Sequence, residues 1–246
     1  MTFPWRSAVV VGASSGIGAA IARELAGAGV RLALVARRAD ALSGVARAVA
    51  PAHARIHPHD VRDVAGVARL VARIVEELPD LDLLVYAAGI LPRIGATEYP
   101  SALDAEVVAV NLTGAMAWID AIVPRFVAAR RGTVIGVSSV AGDRGRRGYP
   151  AYHASKAGLN AFLEAVRNRV AMAGVRVVTA KPGPVDTPMS RGLDRLPLLI
   201  PAERAARGIL AGASRGRRVV YVPAIWRAIM LGLRAIPSVV FERLDI

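Results

Sequence analysis

The feature that most constrains this chain is the junction near its start. Ser7 to Val11 reads Ser-Ala-Val-Val-Val, and Gly12-Ala13-Ser14-Ser15-Gly16-Ile17-Gly18 follows at once. Apolar residues then recur at Ile17, Ile21 and Leu25, four apart. A continuous apolar run is the signature of a strand covered on both faces, and spacing by four is that of a helix. Joined by a glycine-rich turn, the two make a βα unit, and such units build parallel sheets with helices on both sides.

The rest of the chain repeats the alternation. Strands are predicted at Val30–Ala36, Arg55–His57, Leu81–Tyr86, Gly132–Ser138, Val175–Ala180 and Arg218–Val222. Helices are predicted at Ile17–Ala28, Ala39–Ala50, Val64–Leu78, Ser101–Ala129 (broken near Asn111), Tyr152–Ala173 and Pro201–Ala213. The expected fold class is α/β: a Rossmann-type doubly wound parallel sheet of about seven strands. With 246 residues and 54% hydrophobic composition the chain supports one large core. The expected organisation is a single dinucleotide-binding and catalytic domain over residues 1–222, followed by a C-terminal helical extension over 223–246. No signal-peptide pattern and no uninterrupted apolar run long enough to span a membrane is read in it, so a cytoplasmic protein is expected.

Composition removes several chemistries. Cysteine is absent, which excludes disulfides, thiolate catalysis and cysteine-ligated metal. His53, His57 and His59 form no metal-binding spacing, so no metal is expected. The formal charge is +13, yet of 32 basic residues only Lys156 and Lys181 are lysines. The arginines are dispersed and no recognition motif accompanies them, so nucleic acid is not an expected partner. In such a chain a lysine marks a place that a guanidinium would not serve.

The glycine loop opens the first helix. Its backbone N–H groups and the helix dipole favour a phosphate there. The second strand ends in Ala36-Arg37-Arg38, where an NAD site would carry a carboxylate for the adenosine ribose. Two guanidiniums suit a 2′-phosphate instead, and NADP(H) is expected over NAD(H). Tyr152-His153-Ala154-Ser155-Lys156 lies at a helix start, and positions four apart share a face. An ammonium beside the phenol is expected to lower its pKa toward working pH, which suits a proton donor to a carbonyl. His153 lies off that face and is read as non-catalytic.

With these motifs in order over about residues 7 to 222, the chain resembles the short-chain dehydrogenase/reductase family. Two departures stand out. Val11 occupies the place of the family's usual Thr, and Tyr86 that of the Asn before Ala87-Ala88-Gly89. The resemblance implies a catalytic set of Asn111, Ser139, Tyr152 and Lys156. In it Asn111 holds a water that links Lys156 to solvent, and Ser139, thirteen residues before Tyr152, donates to the substrate oxygen. It implies that Gly12, Ser14, Ser15, Gly16, Ile17 and Gly18 line the cofactor phosphates, with Arg37 and Arg38 at the 2′-phosphate. Asp60 and Val61 would meet the adenine, and Ala87, Ala88 and Gly89 the nicotinamide ribose. Tyr152 and Lys156 would also touch the cofactor. Pro182 and Gly183 would back the nicotinamide, and Val185 and Thr187 its carboxamide. A homodimer or homotetramer is the family expectation.

The same residues admit other readings. Asp60 suits a helix cap near Asp63, Asn111 a polar helix break, and Ser138 could face the site in place of Ser139. The segment 184–201 reads as a lid, with Arg191 and Arg195. The loop Gly142–Gly148, with Arg144, Arg146 and Arg147, is either a phosphate or carboxylate grip or a solvated basic loop. The tail is basic and amphipathic, and resembles that of decaprenylphosphoryl keto-pentose reductases. That likeness implies a lipid-linked or phosphorylated keto-sugar substrate at the inner face of a membrane, with Trp226 and Phe241 as anchors. Cover for the core or for a subunit interface is the other use of such a tail. A non-catalytic NADP-binding regulator is the alternative class, against which the intact catalytic set speaks.

Overall fold

The computed structural model describes residues 2–49, 54–95, 97–193 and 196–244. The expected end of the second helix at Ala50, together with His53 and Arg195, lies outside them.

The first half runs β1 (Ser7–Val11), α1 (Gly16–Gly27), β2 (Arg31–Ala36), α2 (Ala39–Ala48), β3 (Ala54–Pro58), α3 (Val64–Glu77) and β4 (Leu83–Tyr86). It continues through α4 (Ser101–Val108), a π turn (Ala109–Thr113), α5 (Gly114–Ala128), β5 (Gly132–Val137), a 3₁₀ turn (Val140–Gly142) and α6 (Pro150–Arg169). Last come β6 (Val175–Pro182), β7 (Val185–Asp186), β8 (Ile200–Pro201), α7 (Ala202–Ser214), β9 (Val219–Val222), α8 (Trp226–Ala235) and α9 (Ser238–Phe241).

Seven strands form one parallel sheet in the order β3-β2-β1-β4-β5-β6-β9. Successive residues of each strand feed opposite cores. Ala8 and Val10 pack with α1, α2 and α7, while Val9 and Val11 pack with α3, α5 and α6. The order reverses between β1 and β4. In doubly wound sheets ligands bind in the crevice outside the strand C-termini at such a reversal.

The expected break near Asn111 is not a break. The helix runs on through a π turn, where the Gly114 N–H bonds to Ala109 O rather than to Val110 O. This leaves the Val110 carbonyl without its α-helical donor in a buried place. The Tyr86 hydroxyl fills the gap, donating to Val110 O at 2.6 Å. Gly114 makes room for it, since a Cβ there would lie 2.7 Å from the phenol oxygen. The residue that departs from the family pattern therefore ties β4 to the neighbouring helix by its own route. Tyr86→Phe is expected to lower unfolding free energy by about 1–3 kcal/mol, the cost of an unsatisfied buried carbonyl. Urea denaturation measures it, and a loss too small to resolve would remove this account.

The composite helix Ser101–Ala128 is long and apolar enough to cross a membrane. It packs one face on α3, α6 and the sheet. Helix α6 begins two residues earlier than expected because Pro150 occupies its first turn, a place where the missing N–H costs nothing. Tyr149 ahead of it adopts a left-handed backbone, φ 57°.

Candidate active site

A cleft of about 1180 Å³ opens above the carboxyl ends of β1, β4, β5 and β6. Its cofactor-side wall is the glycine loop. Gly12 has φ +87°, and a Cβ on it would come within 2.4 Å of Ala88 N. Only glycine lets the first turn press against the Ala87-Ala88-Gly89 segment in that conformation. Gly18 lies beneath the loop rather than in the cleft, where a Cβ would meet Gly12 O at 2.2 Å. Ser15 is the helix N-cap but makes no side-chain cap, so the first turn of α1 keeps donors for an anion. These are the features a bound pyrophosphate needs, and the residues present fit a dinucleotide.

At the far end Arg37 and Arg38 line the cleft. Arg38 Nη2 donates to Ser14 Oγ at 3.3 Å, which joins it to the glycine loop. Arg37 is 60% exposed and lies 3.9 Å from the Asp60 carboxylate. Asp60 is not a helix cap: that role belongs to Asp63, which accepts from Gly66 N. Hydrogen bonds from Arg62 hold the Asp60 carboxyl down at about 2, with Arg37 contributing less. Val61, Ala87, Ala88, Gly89, Pro182, Gly183, Val185 and Thr187 complete this side.

Tyr152 and Ser139 meet on the opposite wall. Ser139 Oγ accepts from Ala141 N at 3.0 Å, and Ser139 and Tyr152 line the same cleft. Ser138 instead turns its hydroxyl back onto Lys156 O, at 3.2 Å. The choice between the two serines thus falls on Ser139. Lys156 is buried, and its Nζ donates to Val137 O at 3.0 Å. Burial lowers its pKa to about 8. Asn111 does not reach the cleft. Its Oδ1 accepts from Ile90 N at 2.8 Å, and its Nδ2 donates to Ile90 O and to Ser155 Oγ. Asn111 Oδ1 and Lys156 Nζ lie on the same side of Gly89, where a Cβ would come within 3.3 and 3.5 Å of them. His153 also borders the cleft, with Nδ1 2.7 Å from Ala141 O.

One expectation needs correction. The Tyr152 phenol is pushed up, not down: burial dominates, and the Ser139 contact and the Arg146 charge offset it only in part. Lys156 sits 5.8 Å from the ring centroid and spends a hydrogen bond on Val137 O. The charge that acts to lower the phenol pKa in this structure is that of Arg146, in the loop before α6, while Lys156 Nζ stands over the ring face.

The family profile described as short chain dehydrogenase matches residues 6–196. This chain belongs to the short-chain dehydrogenase/reductase family. An uncharacterized oxidoreductase of Mycobacterium tuberculosis is 34% identical over 239 residues, 96% of each chain. Another from Myxococcus xanthus is 34% identical over 222 residues, 89% of this chain and 88% of the relative. Among solved structures, a short chain dehydrogenase from Burkholderia cenocepacia in complex with NADP has a TM-score of 0.86 at 28% identity, covering 100% of both chains. A variant of actinorhodin polyketide ketoreductase with NADPH has a TM-score of 0.80 at 27% identity, over 90% of this chain and 97% of that one.

In this short-chain dehydrogenase/reductase the described residues of the segment 184–201 lie against the cleft. The ends of the segment pair through β7 and β8, and Ser190 Oγ donates to Val185 O at 2.7 Å. Arg93 donates to Arg191 O at 2.8 Å across Gly192. Met189, Leu193, Leu196 and Pro197 reach the cleft, whereas Arg191 lines a shallower groove beside Arg23.

The tail departs from the membrane expectation in its two aromatic anchors. Trp226 is buried, lines the cleft and stacks so closely on Gly183 that a Cβ there would fall 2.0 Å from Nε1. Phe241 carries the Arg144 guanidinium 3.8 Å above its ring. Arg144 also donates to Leu233 O and Ile236 O, at 2.5 and 2.6 Å. The tail therefore closes one end of its own chain's cleft. Sequence reasoning had no signal for Trp226 as a wall, because nothing local to residues 223–246 points at β6.

Proposed function

We propose that this protein is an NADP(H)-dependent carbonyl reductase, with Tyr152 as the proton donor. The observation that carries the reading is the convergence of the Tyr152 and Ser139 hydroxyls on one wall of a cleft whose other wall is an uncapped, glycine-lined helix start. When bound, the dinucleotide supplies the hydride. Ser139 orients the substrate carbonyl by donating to its oxygen. Tyr152 then gives its proton to that oxygen, which is why a phenol kept protonated by burial suits reduction. Lys156 supplies positive charge that steadies the phenolate left behind, and Asn111 fixes the Ile90 turn beside it. Gly12, Ser14, Ser15, Gly16 and Ile17 take the phosphates, with Gly18 packing the loop on the helix. Pro182, Gly183, Val185 and Thr187 seat the nicotinamide end, and Asp60 and Val61 the adenine.

The NADP(H) preference rests on Arg37 and Arg38, with no carboxylate at the end of β2. Replacing both by Ala is expected to weaken NADPH binding by about tenfold to a hundredfold. NADH binding should change far less. Fluorescence titration with both cofactors, followed by cofactor oxidation against a panel of carbonyls, checks this. Equal losses for NADPH and NADH would remove the 2′-phosphate assignment, and a chain that takes up neither cofactor would remove the reductase reading.

A further inference from the structure

The loop between the 3₁₀ turn and α6 is not a solvated basic loop. Asp143 at its base accepts from Lys181 Nζ at 2.5 Å and from the Tyr221 hydroxyl at 2.8 Å. Arg144 is committed to the tail, and Arg147 Nη2 donates to Glu242 O at 3.3 Å. Arg146, between them, turns inward and lines the cleft within electrostatic reach of Tyr152. Among the described residues its guanidinium has no carboxylate and no hydrogen-bond acceptor, although it is half-buried. Removing a guanidinium from water without a partner is unfavourable, and burial lowers its pKa accordingly. The same cleft has an apolar part of its lining, including Leu91, Val140, Met189, Leu193 and Trp226.

We infer that Arg146 receives an oxyanion carried by the substrate, a carboxylate or a phosphate ester near the reacting carbonyl, while the apolar wall takes the rest of the molecule. The inference rests on the reductase reading above. The cofactor's own phosphates are assigned there to the α1 start and to Arg37 and Arg38, which leaves Arg146 for the substrate. A planar guanidinium fork fits either anion by paired hydrogen bonds. In the bound state the guanidinium regains the acceptors it lost to burial, and the anion is held beside the carbonyl that Tyr152 protonates.

The test compares matched pairs in the full chain with NADPH: an aromatic 3-oxo acid with its ethyl ester, and a ketose phosphate with the free ketose. Wild type is expected to favour the charged member in kcat/KM, and the pair with the larger ratio identifies the anion. Arg146→Gln should shrink that ratio by about tenfold or more, and Arg146→Lys should restore part of it. A wild type that favours the neutral members, or a ratio unchanged in Arg146→Gln, overturns the inference.

A second arm needs no turnover. Benzoate or inorganic phosphate should raise the Tm of wild type more than that of Arg146→Gln, and equal shifts count against the site. NADPH titration of the same preparations separates the two possible failures. Variants that bind NADPH like wild type but keep the ratio reject Arg146 alone, whereas absent NADPH uptake rejects the reductase reading. The anion titration is read in either case.

Discussion

Tyr152→Phe is expected to lower kcat/KM for carbonyl reduction by about 10²–10⁴-fold, the range a positioned general acid contributes. NADPH affinity should fall far less, because the substitution removes one hydroxyl and keeps the ring. The ring's contacts survive it: Lys156 Nζ stays over its face at 5.8 Å, and His153 at its edge. What is lost is the phenol hydroxyl that lines the cleft together with Ser139. Without it the alkoxide that forms on the substrate loses the hydroxyl positioned to protonate it. Stopped-flow measurement of NADPH oxidation separates the chemical step from binding. A variant that turns over at the wild-type rate would assign the proton to another group and dismantle the proposed mechanism.

Lys156→Met is expected to remove about a hundredfold of activity, at the lower end of what a positioned proton-transfer group contributes, and to change the pH profile. Burial sets the Lys156 pKa at about 8, below the ordinary lysine value. The ammonium form is therefore complete only below that pH. In wild type, kcat/KM for reduction should hold steady up to about pH 8 and then fall about tenfold per pH unit as the charge behind the phenolate is lost. In Lys156→Met that alkaline limb should vanish. Stability runs the other way. Between about 8 and the ordinary lysine value the unfolded chain binds more protons than the folded one, so this group makes stability rise with pH in that window. Below about pH 8 the buried ammonium costs the folded state about 3 kcal/mol. The methionine variant sheds that cost but leaves Val137 O without its donor, so its Tm should not fall in step with its activity. An alkaline limb that persists in the variant would assign it to Tyr152 or to another group.

The serine pair shows how far local pattern reaches. Ser138 and Ser139 are adjacent at a strand end, and strand alternation sends neighbours to opposite sides without saying which side holds the site. Only the tertiary structure separates them, because Ser138 Oγ is spent on Lys156 O while Ser139 Oγ accepts from Ala141 N in the 3₁₀ turn that follows. The Tyr86 substitution is similar. Sequence marks it as a departure at a turn that normally carries an amide. Only the fold reveals that a π turn 24 residues away has a spare carbonyl for the phenol.

What the sequence determined by itself is whatever repeats at short range. Apolar runs alternating with helical spacing specify a parallel sheet, a glycine turn after the first strand specifies a helix start open to an anion, and Tyr152 with Lys156 four residues on specifies one shared face. What only the tertiary structure decided is which distant groups are used up and which stay free. Arg144 and Arg147 are spent on the tail while Arg146 faces the cleft, and Trp226 reaches across to Gly183. The phenol rises in pKa because burial outweighs the nearby charge. The physical reason is common to all of these. Desolvation and long-range pairing depend on what packs around a side chain, and residues tens of positions apart carry no local periodicity that records it.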